Sequence, residues 1–128
     1  GAQGVHLGAA DGDPALALKA LPPGALVGAT VHSLAELEVL ATLPLSYIGV
    51  GPVFGTQSKA AALPALTLAG LEAICRASPF PVIAIGGIAP GRVREVLAAG
   101  AHGVAVLGAF CLAADPGAVA AQLLRELG

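Results

Sequence analysis

Short apolar runs alternate along the chain with segments in which apolar residues recur at helical spacing. The short runs are near-continuous rather than alternating, which is typical of parallel strands buried on both faces. The strands predicted from them are Gly4–Leu7, Ala25–Gly28, Tyr47–Val50, Pro81–Ile85 and Gly103–Leu107. The periodic segments predict helices over Pro14–Ala20, Ser33–Leu40, Thr67–Arg76, Pro90–Ala99 and Pro116–Leu127.

Residue types at the helix ends support these boundaries. Asp11 and Asp13 precede the first helix and are both candidate N-caps. Ser33 begins a capping-box pattern at the second helix. Pro90 lies in the first turn of the fourth helix and Gly100 follows its end, the usual asymmetry of helix termini.

This alternation predicts an α/β fold with a parallel sheet and right-handed crossovers. An open doubly wound sheet and a (β/α)8 TIM barrel both satisfy it. Five βα units in 128 residues project to roughly 200 residues for eight units, the size of a compact barrel. We therefore expect residues 1–128 to be the C-terminal portion of a single TIM-barrel domain, with strands 4 to 8. The start at Gly1 without Met fits that expectation of a fragment, whereas an open sheet needs no missing part.

Composition narrows the class of protein. Hydrophobic residues make up 56% of the chain and charged residues 11%, against about 25% charged in an ordinary soluble domain. Such a chain collapses around its apolar surface, which excludes disorder, and no apolar run is long enough to span a membrane. The net charge of −2 gives no basic patch for nucleic acid. Two cysteines without metal-ligand spacing or a disulfide framework predict a cytoplasmic protein.

The barrel interpretation also predicts how the chain assembles. Without its first three strands, a barrel has two open edges and an uncovered apolar interior. The edges would be the strands ending at Leu7 and Leu107, which carry little charge to prevent pairing. We therefore expect no stable isolated monomer. The protein would be a homo-oligomer, or would be covered by the missing N-terminal strands.

Glycines follow the last two predicted strands. Gly86 and Gly87 come after one strand, and Gly108 comes after the next. Glycines at strand ends let the backbone approach a ligand, and free N–H groups there can face an anion. Paired glycine-rich ends on the last two strands match the phosphate site of many barrels. The alternative is that these glycines serve only tight turns. No G-x-G-x-x-G motif follows the first strand, which disfavours a dinucleotide-binding sheet.

A long polar loop follows the strand Tyr47–Val50. It carries hydroxyls at Thr56 and Ser58 beside Lys59, one of six Lys and Arg residues in the chain. A cation with neighbouring hydroxyl donors suits a phosphate or pyrophosphate oxygen. The alternative is an ordinary solvated loop lysine.

Several segments together resemble the thiamine phosphate synthase family, which includes a thiazole tautomerase branch. The segments are GVHLG at 4–8, TVHS at 30–33, YIGVGPVFGTQSK at 47–59, PVIAIGGI at 81–88 and AHGVAV at 101–106. The resemblance implies a TIM barrel that joins hydroxymethylpyrimidine pyrophosphate to thiazole phosphate with Mg²⁺. It also implies small phosphorylated substrates, a dissociative reaction with a carbocation at the pyrimidine methylene, and a transferase activity that this chain alone would lack.

The resemblance assigns roles to individual residues. It implies that Asp11 coordinates magnesium and that Thr30 contacts the pyrophosphate. The loop residues would hold the thiazole phosphate or the leaving pyrophosphate, with Lys59 as the catalytic cation, and they are Thr56, Ser58 and Lys59. Backbone donors to the thiazole phosphate would be Gly87, Leu107 and Gly108.

Some positions depart from the family pattern. Ala9 stands where the family usually has Gln, Ala60 and Ala61 follow Lys59 where Asp is common nearby, and Gly108 replaces a common Ser. These departures weaken the synthase assignment relative to the tautomerase branch. In some members of that branch, however, a histidine occupies the position that corresponds to Pro52 here. Two alternatives to a synthase therefore stay open, a thiazole tautomerase and a non-catalytic phosphate-binding half-barrel.

The histidines and cysteines have ordinary interpretations. We expect His6 to be a core residue or a residue supporting the site rather than a metal ligand. His32 is expected at a helix start as a cap or surface residue, and His102 in solvent. Cys75 and Cys111 are expected to be small buried hydrophobic residues.

Overall fold

The computed structural model describes residues 1–55 and 64–128, which form a five-stranded sheet and six helices. The strands are β1 (Gly4–Leu7), β2 (Leu26–Val31), β3 (Tyr47–Val50), β4 (Val82–Ile85) and β5 (Gly103–Ala105). The helices are α1 (Pro14–Ala20), α2 (Leu34–Leu40), α3 (Thr67–Ala77), α4 (Val93–Ala98), α5 (Gly108–Cys111) and α6 (Pro116–Leu127). No helix in these two stretches is long and apolar enough to cross a membrane.

The sheet is parallel throughout, and its strand order β1-β2-β3-β4-β5 follows the chain. A doubly wound sheet reverses its strand order at a switch point, and this sheet has no reversal. Successive right-handed crossovers in one direction place the helices on one face of the sheet. This is the arrangement of consecutive TIM-barrel units, so the predicted fold class is confirmed. The strands β1 and β5 lie at the two edges, as predicted.

The core lies between the sheet and its helices. Val31 and Ile48, on neighbouring strands, are fully buried, and they belong to one cluster with Leu71 of α3 and Val96 of α4. Within residues 1–55 and 64–128, every buried side chain of this core is apolar. Alternation along the strands therefore places the polar strand residues on the opposite face, which the helices do not cover.

Strand β2 is longer than predicted. The sequence predicts its end at Gly28, but the strand continues to Val31. The added residues include Thr30, which pairs with Gly49 of β3, and Val31, which pairs with Val50. Pairing along a neighbouring strand overrides the weak local signal, and Thr30 therefore lies inside the strand rather than after it.

Helix α4 begins later than predicted. The sequence predicts its start at Pro90, but Gly91 has a φ of +92°, which interrupts a right-handed helix, and the helix starts at Val93. The Glu126 carboxylate of α6 accepts hydrogen bonds from the Gly91 and Val93 N–H groups, at 2.6 and 3.1 Å. At the other end, Gly100 has a φ of +99°, so the predicted glycine stop is confirmed.

The last strand is shorter than predicted and is followed by an unpredicted helix. Strand β5 ends at Ala105 rather than Leu107, and the single turn α5 begins at Gly108. One turn is too short for hydrophobic periodicity to reveal it.

The predicted helix caps are present at α1 and α2. The carboxylate of Asp13 accepts a hydrogen bond from the Ala15 N–H at 2.8 Å, which makes Asp13 the N-cap of α1. At α2, the Ser33 hydroxyl accepts from the Glu36 N–H at 3.2 Å. The Glu36 carboxylate accepts in turn from the His32 N–H at 2.7 Å, one residue before the usual capping-box partner.

Candidate active site

All five predicted site residues that the structure describes lie at or just after the carboxyl ends of the strands. Asp11 follows β1, and Thr30 is the penultimate residue of β2. Gly87 follows β4, and Leu107 and Gly108 follow β5. Because the strands are parallel and adjacent, these residues lie along one edge of the sheet, where α/β proteins place their ligands.

Three predicted residues, Thr56, Ser58 and Lys59, lie outside the described residues. The chain on either side of them is held at the end of β3. The Leu66 N–H donates to the Pro52 carbonyl at 2.8 Å. The described residues on the two sides of this segment therefore meet at the carboxyl end of β3.

The glycine-rich turn after β4 packs directly on the segment after β3. The Phe54 N–H donates to the Gly86 carbonyl at 3.1 Å. Gly86 and Gly87 have φ values of +97° and +67°. A Cβ would lie 2.5 Å from Pro52 Cα if added at Gly86, and 2.6 Å from the Gly55 carbonyl oxygen if added at Gly87. Backbone conformation and close approach thus account for both glycines, and contact of Gly87 with a phosphate stays a prediction.

Arg92 fixes this turn from outside, and sequence reasoning missed it. Its guanidinium lies 4.4 Å from the centroid of the Phe54 ring, a cation–π distance. Its Nη1 donates to the Gly87 carbonyl at 3.1 Å. A scarce cation five residues after a glycine pair was the available signal. The contact places a positive charge beside the candidate phosphate turn.

The turn after β5 presents backbone donors at the same edge. Leu107 is the N-cap of α5 and makes no side-chain cap bond. The first amides of any helix lack intrahelical acceptors, so those at Gly108 and Ala109 are available to an acceptor. This placement is consistent with the backbone role predicted for Leu107 and Gly108.

Asp11 closes a turn rather than capping a helix. Its carboxylate accepts a hydrogen bond from the Gly8 N–H at 2.8 Å, and its own N–H donates to the Gly8 carbonyl at 3.0 Å. Since Asp13 caps α1, the two candidate caps have separate roles.

The Asp11 carboxylate, the predicted magnesium ligand, is exposed. No group of three or more His, Cys, Asp or Glu residues able to hold a metal occurs within residues 1–55 and 64–128. Mg²⁺ commonly binds one or two carboxylates together with substrate phosphates and waters. A single exposed carboxylate at a strand end fits an ion that binds together with a phosphorylated ligand.

Thr30 is held by a hydrogen-bonded network on the strand face without helices. His6 Nε2 lies 2.9 Å from Thr30 Oγ1, and His6 Nδ1 lies 3.0 Å from the Tyr47 hydroxyl. The His6 side chain is exposed rather than in the core, so of its two predicted roles the structure favours support of the site. Tyr47 was missed as a site residue, although it is the only tyrosine in the sequence.

The remaining histidines and cysteines take varied positions. His32 is half-buried, and its Nδ1–H donates to the Gly51 carbonyl at 2.5 Å. His102 is exposed, as predicted. Cys75 is half-buried, and its burial raises the pKa of the thiol above the ordinary value. The prediction that Cys111 is buried is wrong, because the single-turn α5 leaves it exposed.

Comparison with known proteins identifies relatives over nearly the whole chain. The sequence model of the family described as thiamine monophosphate synthase matches residues 1–110. The thiamine-phosphate synthase of Albidiferax ferrireducens is 48% identical over 99% of the chain, and that of Laribacter hongkongensis is 43% identical over 100%. The chain covers 58% and 60% of these two relatives.

Solved structures agree with the sequence matches. The thiamine phosphate pyrophosphorylase of Pyrococcus furiosus superposes with a TM-score of 0.85 at 34% identity, over 98% of this chain and 59% of that one. A 3-hexulose-6-phosphate synthase, at 23% identity and a TM-score of 0.71, shares the fold. With a family model that matches most of its length, the chain belongs to the thiamine monophosphate synthase family.

Proposed function

We propose that the protein is a thiamine-phosphate synthase, a transferase of thiamine biosynthesis. It would couple hydroxymethylpyrimidine pyrophosphate with thiazole phosphate to give thiamine phosphate and pyrophosphate. The observation that carries this proposal is the identity of 40–48% to proteins of that name across nearly the whole chain. The chain spans about three-fifths of their length, so activity is assigned to the full-length protein.

The residues at the carboxyl ends of the strands would form two separate anion sites, one for the pyrophosphate and one for the thiazole phosphate. In the proposed reaction the bond from the pyrimidine methylene carbon to pyrophosphate oxygen breaks, and the electron pair leaves with pyrophosphate. The thiazole nitrogen then donates its electron pair to that carbon. The Thr30 hydroxyl would donate a hydrogen bond to the pyrophosphate, and Lys59 would neutralise the charge that develops on the pyrophosphate. The backbone at Gly87, Leu107 and Gly108 would hold the thiazole phosphate.

Magnesium is proposed as the cofactor, with Asp11 as its protein ligand. When bound, the ion would supply positive charge to the departing pyrophosphate. The hydrogen bond from Gly8 to Oδ2 fixes the carboxylate at the end of β1. This fixed orientation would allow Asp11 to receive an ion that arrives with the pyrophosphate.

The thiazole tautomerase alternative is less well supported. Some members of that branch have a histidine where Pro52 stands. Pro52 makes a backbone hydrogen bond to Leu66, and its Cα approaches Gly86, so it has a structural role there and provides no acid or base. Binding measurements with the two separate substrates distinguish a half-barrel without catalysis from a synthase.

The strand face without helices bears on assembly. Leu26 and Ile85 lie on it, with exposed fractions of 52% and 41%. Large apolar side chains that are exposed on one face of a sheet favour a covering surface. We therefore retain the proposal that further strands of the full-length protein or a second copy cover this face. Sedimentation of residues 1–128 tests it, and a compact monomer with a cooperative melt would contradict it. The cytoplasmic location stays a prediction.

Calorimetry with the separate substrates tests the proposed function. A synthase should bind thiazole phosphate and should bind hydroxymethylpyrimidine pyrophosphate in the presence of Mg²⁺. Binding of thiazole phosphate alone would instead support the non-catalytic half-barrel. Conversion of a thiazole tautomer without any coupling product would support the tautomerase.

A further inference from the structure

His6 connects residues from three neighbouring strands. Its ring receives or gives one hydrogen bond on each side, to Thr30 Oγ1 at 2.9 Å and to the Tyr47 hydroxyl at 3.0 Å. The rings of His6 and Tyr47 are also stacked, with centroids 5.4 Å apart and an interplanar angle of 24°. One end of this network is therefore the hydroxyl proposed to contact pyrophosphate.

Two glycines make room for the network. Gly28 pairs with both His6 and Tyr47 in the sheet, and a Cβ at Gly28 would overlap the Tyr47 ring. A Cβ at Gly49 would lie 3.1 Å from His6 Cε1, closer than ordinary van der Waals contact. Both aromatic rings thus lie over positions without side chains, and a side chain at either glycine would displace a ring of the network.

The hydrogen bonds of a neutral imidazole restrict how protons are arranged. One ring nitrogen donates and the other accepts. If Tyr47 donates to Nδ1, then Nε2–H donates to Thr30 Oγ1, and the Thr30 hydroxyl hydrogen stays free for a ligand. In the opposite tautomer, the Thr30 hydroxyl donates its hydrogen to Nε2, and Oγ1 can only accept a hydrogen bond from a ligand.

Two physical arguments favour the first arrangement. A phenol is more acidic than an aliphatic alcohol and is therefore the better donor to Nδ1. A pyrophosphate oxygen is only an acceptor, so it needs the Thr30 hydrogen. Both ends of the network therefore favour the tautomer with the proton on Nε2.

We propose that His6 is a positioning residue that, oriented by Tyr47, turns the Thr30 hydroxyl hydrogen toward the pyrophosphate of the substrate. His6 does not contact the substrate, and it acts through Thr30. The inference rests on the proposed function, because that function supplies the pyrophosphate. It adds His6 and Tyr47 to the residues that determine recognition of the pyrophosphate.

The tautomer of His6 can be measured directly by nitrogen-15 NMR of the full-length protein. His32 provides an internal reference of the opposite kind, because its Nδ1 faces a carbonyl and must carry the proton. We expect His6 to carry its proton on Nε2, and Tyr47→Phe to weaken that preference. A proton on Nδ1 of His6 in the wild-type protein would overturn the inference.

A double-mutant cycle tests whether His6 acts through Thr30. Binding of magnesium pyrophosphate is measured for wild type, His6→Asn, Thr30→Val and the double variant. Asparagine places its amide near the position of Nδ1 and does not reach Thr30. We expect His6→Asn to weaken binding roughly tenfold when Thr30 is present, the scale of one hydrogen bond, and to have little further effect beside Thr30→Val.

Controls separate positioning from a general structural role. His6→Gln places an amide near the position of Nε2 and should recover part of the affinity. His102→Asn changes an exposed histidine and should bind as wild type does. Additive effects of His6→Asn and Thr30→Val, or equal weakening of thiazole phosphate binding by His6→Asn, would overturn the inference. If the wild type binds no pyrophosphate at all, the proposed function fails, and the ligand named here fails with it. A wrong tautomer in a protein that binds pyrophosphate overturns this inference alone.

Discussion

Replacing Gly86 by alanine should cost much more stability than the same change at Gly91. The two glycines have φ values of +97° and +92°, so alanine suffers nearly the same backbone strain at both, roughly 1–2 kcal/mol. They differ in space. A Cβ at Gly86 would lie 2.5 Å from Pro52 Cα, whereas nothing lies within 4 Å of a Cβ at Gly91.

The difference between the two variants therefore isolates the close approach between the turns after β3 and β4. Forcing an extra carbon against fixed backbone typically costs about 1–3 kcal/mol. The gain from restricting the unfolded chain is common to both variants and cancels. We expect Gly86→Ala to lower the free energy of unfolding by about 1–3 kcal/mol more than Gly91→Ala.

Urea unfolding of the full-length protein measures this difference by linear extrapolation. Calorimetry with thiazole phosphate provides a second readout, because displacement of the turn should weaken binding in Gly86→Ala and leave it intact in Gly91→Ala. Equal destabilisation by the two substitutions would refute the argument, since it would mean that the approach to Pro52 imposes no constraint.

Three further predictions concern single side chains. Lys59→Ala should lower turnover by roughly 10²-fold, the scale for loss of a preorganised charge. The control Lys19→Ala changes a lysine at the end of α1 and should leave turnover unchanged. Near-normal activity of Lys59→Ala would contradict the catalytic role of Lys59. Asp11→Asn keeps an oxygen that can close the turn but removes the charge, so it should raise the magnesium requirement in steady-state assays; a titration that overlays the wild type would leave Asp11 only its turn role. Burial raises the pKa of the Cys75 thiol, so Cys75 should react more slowly at pH 8 with a thiol reagent than exposed Cys111. The contribution of the neutral Cys75 thiol to protein stability should fall as the pH rises through the thiol's unfolded pKa. Faster reaction of Cys75 than of Cys111 would contradict this.

The fold was largely predictable because its signals are local and repeated. Near-continuous apolar strands and capped helices recur in each unit, and Asp13, Ser33 and Gly100 act at helix ends as their residue types predict. The errors occur where distant contacts decide the structure. Helix α4 starts at Val93 because of a left-handed glycine and a carboxylate from Glu126, which lies far along the chain.

The candidate site was less predictable, because its geometry depends on neighbouring strands. Motif positions identify Thr30 and Gly87, but not the His6 and Tyr47 side chains that surround Thr30. Nothing in a strand sequence shows which residue of the next strand will lie opposite. Arg92 was missed for the same reason, since its contact with Phe54 depends on the packing of two loops.

Formation of thiamine phosphate by the purified full-length protein tests the central claim most directly. The protein is incubated with hydroxymethylpyrimidine pyrophosphate, thiazole phosphate and Mg²⁺, and thiamine phosphate and released pyrophosphate are both quantified. The account predicts equal amounts of the two products and none when either substrate is omitted. Absence of thiamine phosphate from a folded protein that binds both substrates would contradict it.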